Sequence, residues 1–436
     1  MTISATANIE INGTGADTNG GAFDPYNKGT YGNDMTYGTY AAVVSGSASS
    51  SNTTTVSATW ATPAMQGNTF VAPGYGIGTI VGVNSGVSFT LNAAIGTFSA
   101  LTCTVGGPWL TLDHWASLFS ANGQGSQTTY LKNGTYTPTS ALVFENGNSG
   151  INLIGYYQAR GDITPTANKA YRPLIQGTSA IPAGGTLLTP ANGNQGTVVF
   201  NVILDGASLG IQLLENASIM YNCQMRNTTG IQYQYGTKAI ESEFINLTGL
   251  LYSPTNVLDS LFLACGGVDI SGGSEFIRNL ILNSNSAGIS ANNNILFIDS
   301  CTIFGSASGA GSMVGFVDSL RNSIFYSNNG AFNAVQPSNV PTPTILISNC
   351  AADQAIAGGT QSSMFTLTAN PFVNSGATVT DLASARAAFA LNNTAGGGAL
   401  CRGAGTPQYL DIGAVQSQAG GGGGLILPRG ITRMVG

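Results

Sequence analysis

A short phrase of polar and apolar residues recurs through the middle of this chain. Each phrase opens on Asn or Ser, continues through a few mostly apolar residues and ends in a turn rich in Gly, Ser and Asn. Two examples are "NLILNSNSAG" (279–288) and "NSIFYSNNG" (322–330). Successive opening residues lie 18 to 22 positions apart. These opening residues are Asn201, Asn222, Ser242, Ser260, Asn279, Ser300 and Asn322.

The third residue after each opening residue is apolar in every phrase. Because side chains alternate between the two faces of a strand, we interpret this set as the inward face of one strand per phrase. It consists of Leu204, Met225, Ile245, Leu263, Leu282, Ile303 and Phe325. In most phrases a glycine then introduces a second strand, as at Gly230 and Gly267.

A period near 20 residues with short strands and no helical pattern predicts a parallel β-solenoid. Its coils would stack about 4.8 Å apart, which brings equivalent residues into columns along the axis. The opening Asn and Ser residues are then predicted to form a structural ladder, hydrogen-bonded from coil to coil at a sharp bend.

Both ends of the solenoid have their own patterns. Residues 112–137, "LDHWASLFSANGQGSQTTYLKNGTYT", predict a short helix that lies over the first coil, followed by strand, turn and strand. This segment, with its "GTY" turn, and the ending "YLDIGAVQ" (409–416) resemble the right-handed parallel β-helix proteins of the pectate-lyase-like superfamily. The resemblance implies an all-β, right-handed parallel β-helix whose last strand is 409–416. It implies no particular activity, because this fold has many functions.

The predicted organisation has four parts. Residues 1–36 are rich in Gly, Asn, Asp and Tyr and are predicted to be an extended N-terminal arm. Residues 37–108, in which β-branched and small residues alternate, are predicted to be a small β-domain. The parallel β-helix with its N-terminal cap is assigned to 109–418, and a Gly-rich linker with an apolar tail to 419–436. This order of parts resembles structural proteins of tailed bacteriophages, in which a small β-module precedes a β-helical spike or decoration.

The tail is predicted to act in assembly. A tethered apolar segment can dock on a neighbouring subunit, so we expect a homo-oligomer, a trimer by analogy with phage spikes, or a lattice. The alternative is a frayed terminus. The residues concerned are Leu425, Ile426, Leu427, Ile431 and Met434.

Composition narrows the classes of function. Only 7% of the 436 residues are charged, and the net charge is −6 with 13 scattered Lys and Arg, so nucleic-acid binding is disfavoured. No apolar stretch is long enough for a membrane span, and the first residues show no signal peptide. The six cysteines lack metal-site spacing and are predicted to be buried.

Acidic residues are the candidates for catalysis. Glu241, Asp259 and Asp299 fall in one apparent column with Tyr221, Arg278 and Arg321. Carboxylates about 5 Å apart on successive coils would suit a retaining glycosidase. The alternative, favoured by the alternation of acid and base, is a solvent-facing ladder of ion pairs.

Other polar residues offer weaker sites. His114, beside Trp115, is interpreted as structural. Asp17, Asn19 and Asp24 could hold calcium but depart from EF-hand spacing, so we predict no metal and no cofactor.

Three functions remain open. The first is a virion structural protein of a bacteriophage, made in the host cytoplasm, that contacts itself, other virion proteins and a host glycan. The second is a β-helical polysaccharide lyase or glycoside hydrolase, and the third an extracellular adhesin on a bacterial surface. The sequence leaves enzymatic activity undecided but favours the structural function.

Overall fold

The structure is a computed structural model of the whole chain, and the chain folds into two compact units. The first comprises residues 1–181 and 187–203, and the second comprises 182–186 and 204–436. The structure describes residues 8–11, 13, 15–16, 44–66, 68–106, 109–122, 128–144, 151–157, 171–189, 197–215, 219–233, 237–249, 251–252, 256–270, 275–286, 288–292, 297–314, 319–335, 345–405 and 411–416.

The first unit contains a six-stranded barrel, one helix and the first strands of a parallel β-helix. The barrel strands are β2 (Val44–Ser51), β3 (Thr55–Ser57), β4 (Thr69–Ala72), β5 (Gly76–Asn84), β6 (Ser88–Leu91) and β7 (Thr97–Val105). The helix is α1 (Leu112–Asn122). The strands of the β-helix are β1 (Asn8–Ile11), β8 (Thr128–Lys132), β9 (Thr135–Tyr136), β10 (Leu142–Val143), β11 (Asn152–Tyr156), β12 (Leu174–Gln176), β13 (Thr186–Thr189) and β14 (Val198–Phe200).

The small β-domain predicted for 37–108 is a closed antiparallel barrel with strand order β2-β3-β6-β5-β4-β7. Its interior is apolar, with Phe70 and Phe89 fully buried. The barrel follows β1 in the chain. Strand β1 runs parallel to β8, and the Trp109 N–H donates to the Glu10 carbonyl at 2.9 Å. The barrel is therefore inserted into the first coil of the β-helix.

The prediction of an extended arm over 1–36 is wrong for residues 8–11. These residues form β1, whose Ile9 and Ile11 are fully buried, because the sequence "NIEI" alternates as a half-buried strand does. The predicted helix and the strand, turn and strand that follow it are present as α1, β8 and β9. The fully buried ring of Trp115 on α1 lies 4.5 Å from that of Phe144.

The second unit is built from three parallel sheets joined in a repeating order. Sheet A contains β17 (Ile219–Tyr221), β20 (Lys238–Ile240), β23 (Asn256–Leu258), β26 (Glu275–Ile277), β29 (Phe297–Asp299), β32 (Ser319–Arg321), β35 (Leu346–Ser348) and β38 (Thr360–Ser362). Sheet B contains β15 (Ile203–Leu209), β18 (Gln224–Thr228), β21 (Glu243–Leu247), β24 (Leu261–Leu263), β27 (Leu280–Leu282), β30 (Thr302–Phe304), β33 (Ile324–Tyr326), β36 (Ala351–Ala352) and β39 (Phe365–Thr366). Sheet C contains β19 (Gln232–Tyr233), β22 (Leu251–Tyr252), β25 (Val268–Ile270), β28 (Ile289–Asn292), β31 (Gly311–Val314), β34 (Phe332–Val335) and β37 (Ala357–Gly358). Strand β16 (Gln212–Leu214) precedes β17.

This arrangement is the parallel β-helix that the period predicts. Each coil supplies one strand to each sheet, and every neighbour within a sheet is parallel, as in β24 with β27 and β26 with β29. The glycines at the entry to sheet C are needed for close stacking. A Cβ on Gly249 would lie 2.3 Å from the Gly230 carbonyl oxygen of the preceding coil.

Two left-handed corners bound sheet B in each coil. In six successive coils the first corner residue has positive φ, and the second positive-φ residue follows five positions later in each. The pairs run from Asn222 and Asn227 to Asn322 and Ser327. By contrast, one to ten residues separate each sheet C strand from the next sheet A strand, and three to six residues separate each sheet B strand from the next sheet C strand. Variation in coil length therefore falls outside the segment between the two corners of sheet B.

The predicted ladder divides between two adjacent columns. Strand pairing aligns Gln224 with Glu243 and then with Leu261, so Asn222 is aligned with Glu241 and not with Ser242. The corner column, with φ between 47° and 56°, is Asn201, Asn222, Glu241, Asp259, Arg278, Ser300, Asn322 and Asn349. The buried column, one position later, is Val202, Cys223, Ser242, Ser260, Asn279, Cys301, Ser323 and Cys350.

The same shift of one residue corrects the predicted inward face. Ile245, Leu263 and Leu282 lie on the outer face of sheet B, and the inward residues of their strands are Phe244, Phe262 and Ile281. The Phe262 ring lies 5.5 Å from that of Phe276, which is on the interior side of sheet A. The prediction aligned the phrases on Asn and Ser. In three coils a charged residue occupies the left-handed corner and the Ser or Asn comes one position later, so those three phrases were aligned one residue out of register.

The outer face of sheet B is covered by what we call the C-terminal strap, residues 367–405 and 411–416. It contains two short helices, α2 (Leu382–Ala388) and α3 (Gly398–Cys401). Leu382 and Phe389 of the strap pack with Leu280 and Leu282 in one buried cluster. The predicted last strand at 409–416 is not formed by its described residues, 411–416, which cross the coils. The Gly413 N–H donates to the Asn322 carbonyl and the Ala414 N–H to Thr302 Oγ1, one coil earlier.

Candidate functional site

The three acids proposed as catalytic lie near one edge of sheet A, at or beside the first corner. Glu241 and Asp259 occupy the corner column on successive coils, with φ of 47° and 53°, whereas Asp299 is the last residue of β29. Left-handed φ is uncommon for charged residues and is tolerated where side-chain contacts hold it. Each of the three carboxylates has such contacts.

Glu241 pairs with a tyrosine of the preceding coil. The Tyr221 phenol donates to Glu241 Oε2 at 3.1 Å, and both residues are buried. Burial raises the pKa of Tyr221 far above its ordinary value, and the negative charge of Glu241 raises it further. The phenol therefore stays protonated and remains a hydrogen-bond donor to the carboxylate.

Asp259 is held between two guanidinium groups. Arg278, the next corner residue, donates from Nε to Asp259 Oδ1 at 2.8 Å. Arg386 on α2 places Nη2 3.6 Å from the same oxygen and donates to the Asp259 carbonyl at 3.2 Å. This carboxylate joins two coils and fixes the strap to them.

Asp299 is the most enclosed of the three, with 1% of the residue exposed. Its oxygens accept from Arg321 Nε at 2.6 Å, from Asn322 Nδ2 at 2.9 Å and from Ser300 Oγ at 3.0 Å. The guanidinium of Arg321 also stacks over the Phe297 ring at 5.1 Å. The alternative of an ion-pair ladder therefore fits these contacts, but Glu241 and Asp299 are buried and only Asp259 is partly exposed to solvent as that alternative supposed.

A further buried carboxylate, Glu243, was missed from the sequence. Glu243 is fully buried on the outer face of sheet B, where Oε1 accepts from the Leu382 N–H at 2.7 Å and Oε2 from Gln224 Nε2 at 2.8 Å. A carboxylate at the N-terminus of α2 interacts favourably with the helix dipole. The signal in the sequence was that Glu243 is the only charged residue among those that follow the opening residues.

The network extends from Glu243 to a further ion pair. Gln224 Oε1 accepts from Arg226 Nη1 at 3.0 Å, and Arg226 Nε donates to Asp205 Oδ2 at 2.6 Å. Asp205 has only 7% of its side chain exposed. These side chains join β15, β18 and β21 to α2, so they tie successive coils and the strap together.

The buried column forms the ladder between coils. Ser260 N–H donates to Asn279 Oδ1 at 2.9 Å, and Ser242 N–H donates to Ser260 Oγ at 3.1 Å. Asn279 Nδ2 donates to the Val257 carbonyl at 2.9 Å. Cys301 N–H donates to Ser323 Oγ at 3.1 Å in the same way. The corner residues Asn201, Asn222, Ser300 and Asn322 belong to the neighbouring column.

The remaining predicted site residues are placed as follows. His114 stacks edge-on against Trp109 at 5.1 Å between ring centroids. The six cysteines are buried and unbridged. The calcium candidates Asp17, Asn19 and Asp24, and the tail residues from Leu425 to Met434, lie outside the described residues. Among the residues that are described, no group of three or more His, Cys, Asp or Glu could hold a metal ion.

Comparisons with known proteins add one finding. No protein-family model matches the chain, and no curated protein matches it. A solved structure, ORF18 of Geobacillus virus E2, is similar with 16% sequence identity and a TM-score of 0.33. The matched region covers 57% of this chain and 54% of that one, so the chain spans about half the length of that structure. The sequence identity and the TM-score are both too low to assign an activity. In the described part of the chain, no helix is long and apolar enough to cross a membrane.

Proposed function

We propose that this chain is a structural protein of a bacteriophage particle, serving as a spike, fibre or capsid decoration. The observation that supports this role is the use of its charged side chains between its own coils. Glu241, Asp259 and Asp299, the candidates for catalysis, bond to neighbouring coils or to the strap. Contacts of this kind stiffen a solenoid.

The arrangement of parts supports the same role. In the second unit, the sheets of the parallel β-helix are hydrogen-bonded from strand to strand through the backbone. The inserted barrel has its own core and offers a separate surface. We propose that the protein works in the virion as a homo-oligomer, with other virion proteins as partners and a host surface glycan as a further contact.

The experiment is to locate the protein in purified particles. Virions from the source of this sequence are banded by density, and peptides of this chain are quantified by mass spectrometry against the major capsid protein. We expect a fixed ratio of this chain to capsid protein across the band, with a host cytosolic protein as the depleted control. Presence in the infected lysate but absence from the band would contradict the proposal, and presence on uninfected cells would favour the adhesin.

The enzymatic alternative has its own test. Purified protein is incubated with host surface polysaccharide, and reducing ends and unsaturated products are measured for the unchanged chain and for Glu241→Gln, Asp259→Asn and Asp299→Asn. We expect no product from any of them. Product formation that the substitutions abolish, without loss of folding by circular dichroism, would favour a lyase or hydrolase.

A further inference from the structure

The last coil of the β-helix is open at its end. Residues 357–363, which include β37 and β38, are all exposed, whereas Leu320 and Ile347 in the preceding coils are fully buried. Gln361 occupies the next position in that interior column. Its Nε2 donates to the Ile356 and Gly358 carbonyls at 2.8 and 3.0 Å. This interior column of sheet A therefore ends at an exposed amide side chain.

The edge of β38 offers hydrogen bonds to a further strand. The Thr360 N–H donates to the Ile345 carbonyl at 2.8 Å, and the Ser362 carbonyl accepts from the Asn349 N–H at 3.2 Å. Successive residues of a strand direct their backbone groups to opposite edges. The N–H and C=O of Gln361 consequently face the open edge, and among the described residues nothing pairs with them. An uncovered edge of this kind is a template for strand addition.

The chain contains a segment suited to that edge. The tail sequence Leu425-Ile426-Leu427 is identical to β27, Leu280-Ile281-Leu282, which is a strand of this same solenoid. Pro428 follows at once, and proline is tolerated at the end of a strand or on an outermost strand. We propose that residues 425–427 add to β38 as a further parallel strand, with Ile426 stacked on Gln361, and so close the end of their own solenoid.

The tail is long enough to do this within one chain. The last described contacts place Ala414 beside Thr302 on β30, and β39 lies three strands further along sheet B. Three coils correspond to about 14 Å along the axis. The eight residues 417–424 are mostly glycine and can extend to about 27 Å, which covers this axial distance and leaves length for the crossing from sheet B to β38 in sheet A. The docking on a neighbour expected from the sequence would be the domain-swapped form of the same contact.

Hydrogen exchange tests this proposal on the full chain. We compare three proteins: the full chain, a chain that ends at Gln416, and the variant Leu425→Ser/Ile426→Ser/Leu427→Ser. The control is Ile431→Ser, which lies beyond the proposed strand. Amide exchange within 360–362 should be at least tenfold faster in the truncated chain and in the triple variant than in the full chain and the control. Exchange of β26 and β29 should be the same in all of them.

Concentration separates the chain's own tail from a neighbour's. In the full chain, the protection of the 360–362 amides from exchange should be the same at a low micromolar protein concentration and at a concentration one hundred times higher. Light scattering should give the same molecular mass at both concentrations. Protection that appears only at the higher concentration, or equal exchange in the full and truncated chains, would overturn the proposal. Neither result bears on whether the protein is a virion component, which the particle analysis decides independently.

Discussion

At the scale of single residues, the first corner imposes two demands on adjacent positions. The corner residue needs a left-handed backbone, which Asn adopts readily and which Glu241, Asp259 and Arg278 adopt with help from ion pairs or hydrogen bonds. The next residue is buried and faces backbone groups of neighbouring coils, so Ser, Asn and Cys suit it. Asn and Ser meet both demands, and this is why the two columns look like one in the sequence.

Asn279 is the strongest test of the buried column. Asn279→Leu removes an acceptor from the Ser260 N–H and a donor from the Val257 carbonyl, both at 2.9 Å and both buried. Each unsatisfied buried group costs about 1–3 kcal/mol, so we expect the free energy of unfolding to fall by about 2–4 kcal/mol. Urea denaturation measures it.

The matched control for Asn279 is Asn279→Ser. Serine occupies the same column at Ser242 and Ser260, where it accepts from the preceding coil, so this variant should lose less stability. Equal midpoints for Asn279→Leu and the unchanged protein would contradict the ladder.

The buried thiols predict resistance to labelling and a loss of stability in alkali. Burial raises the pKa of Cys103 to about 11 and that of Cys265 and Cys350 to about 12, from an ordinary 9.0. Below pH 9 the thiols are protonated in both states, so they do not change stability. Between pH 9 and 12 they ionise in the unfolded chain first, and the melting temperature should fall.

The labelling measurement uses an aromatic disulfide reagent. At pH 8 none of the six cysteines should react in the folded protein, and all six should react in denaturant. Rapid reaction of any thiol before unfolding would show that its coil opens locally.

At the scale of elements, the strap is the part that the sequence analysis missed. Helix α2 has a capping box, in which Asp381 accepts from the Ser384 N–H and Ser384 Oγ accepts from the Asp381 N–H. That signal was present in "DLASARAA" (381–388). Seven helical residues that follow a long β-repeat are nevertheless easily interpreted as part of the solenoid. The outward Leu263 and Leu282 also concealed the strap, because apolar residues on both faces of a strand look like core.

Glu243→Gln should loosen the strap. The substitution removes the charge that faces the N-terminus of α2 and weakens the contact with the Leu382 N–H. Hydrogen bonds to charged groups contribute about 1.5–3 kcal/mol. We therefore expect tryptic cleavage after Arg386 to become at least fivefold faster, as followed by mass spectrometry of the products.

The control for the strap is Glu275→Gln. Glu275 is an exposed glutamate on β26 of sheet A, so its loss should leave cleavage after Arg386 unchanged. If both variants are cleaved at the rate of the unchanged protein, Glu243 does not hold the strap.

At the scale of the whole molecule, the period near 20 was enough to predict the parallel β-helix, and the alternation of β-branched and small residues over 37–108 was enough to predict the small β-domain. The period was not enough to predict how the first and last coils of the β-helix are formed. Strand β1 lies before the barrel in the chain, and its pairing with β8 together with the contact of Glu10 with Trp109 shows that the coil continues across the insertion. A repeat analysis looks for neighbours in sequence, so a strand separated from its coil by a whole barrel gives it no signal.

The insertion predicts that the barrel can be removed. Residues Glu10 and Trp109 are hydrogen-bonded at 2.9 Å, so a short Gly-Ser linker can replace residues 17–106 without moving either end. We expect the shortened chain to remain soluble and to keep its β-sheet circular dichroism and cooperative melting. Aggregation of the shortened chain, while a control with a linker added within 417–424 stays soluble, would show that the solenoid depends on the barrel.

The constant five-residue step between corners divides each coil into a part that tolerates change and a part that does not. The turn from sheet C to sheet A already accepts one to ten residues, so foreign peptides grafted between Val335 and Leu346 should leave the melting temperature within a few degrees. One alanine inserted between Arg278 and Asn283 should instead lower it sharply, as a thermal scan would show, because it puts β27 out of register with β24 and β30 and turns its inward side chains outward. The turns from sheet C to sheet A in the second unit are therefore the positions at which foreign epitopes could be presented on successive coils.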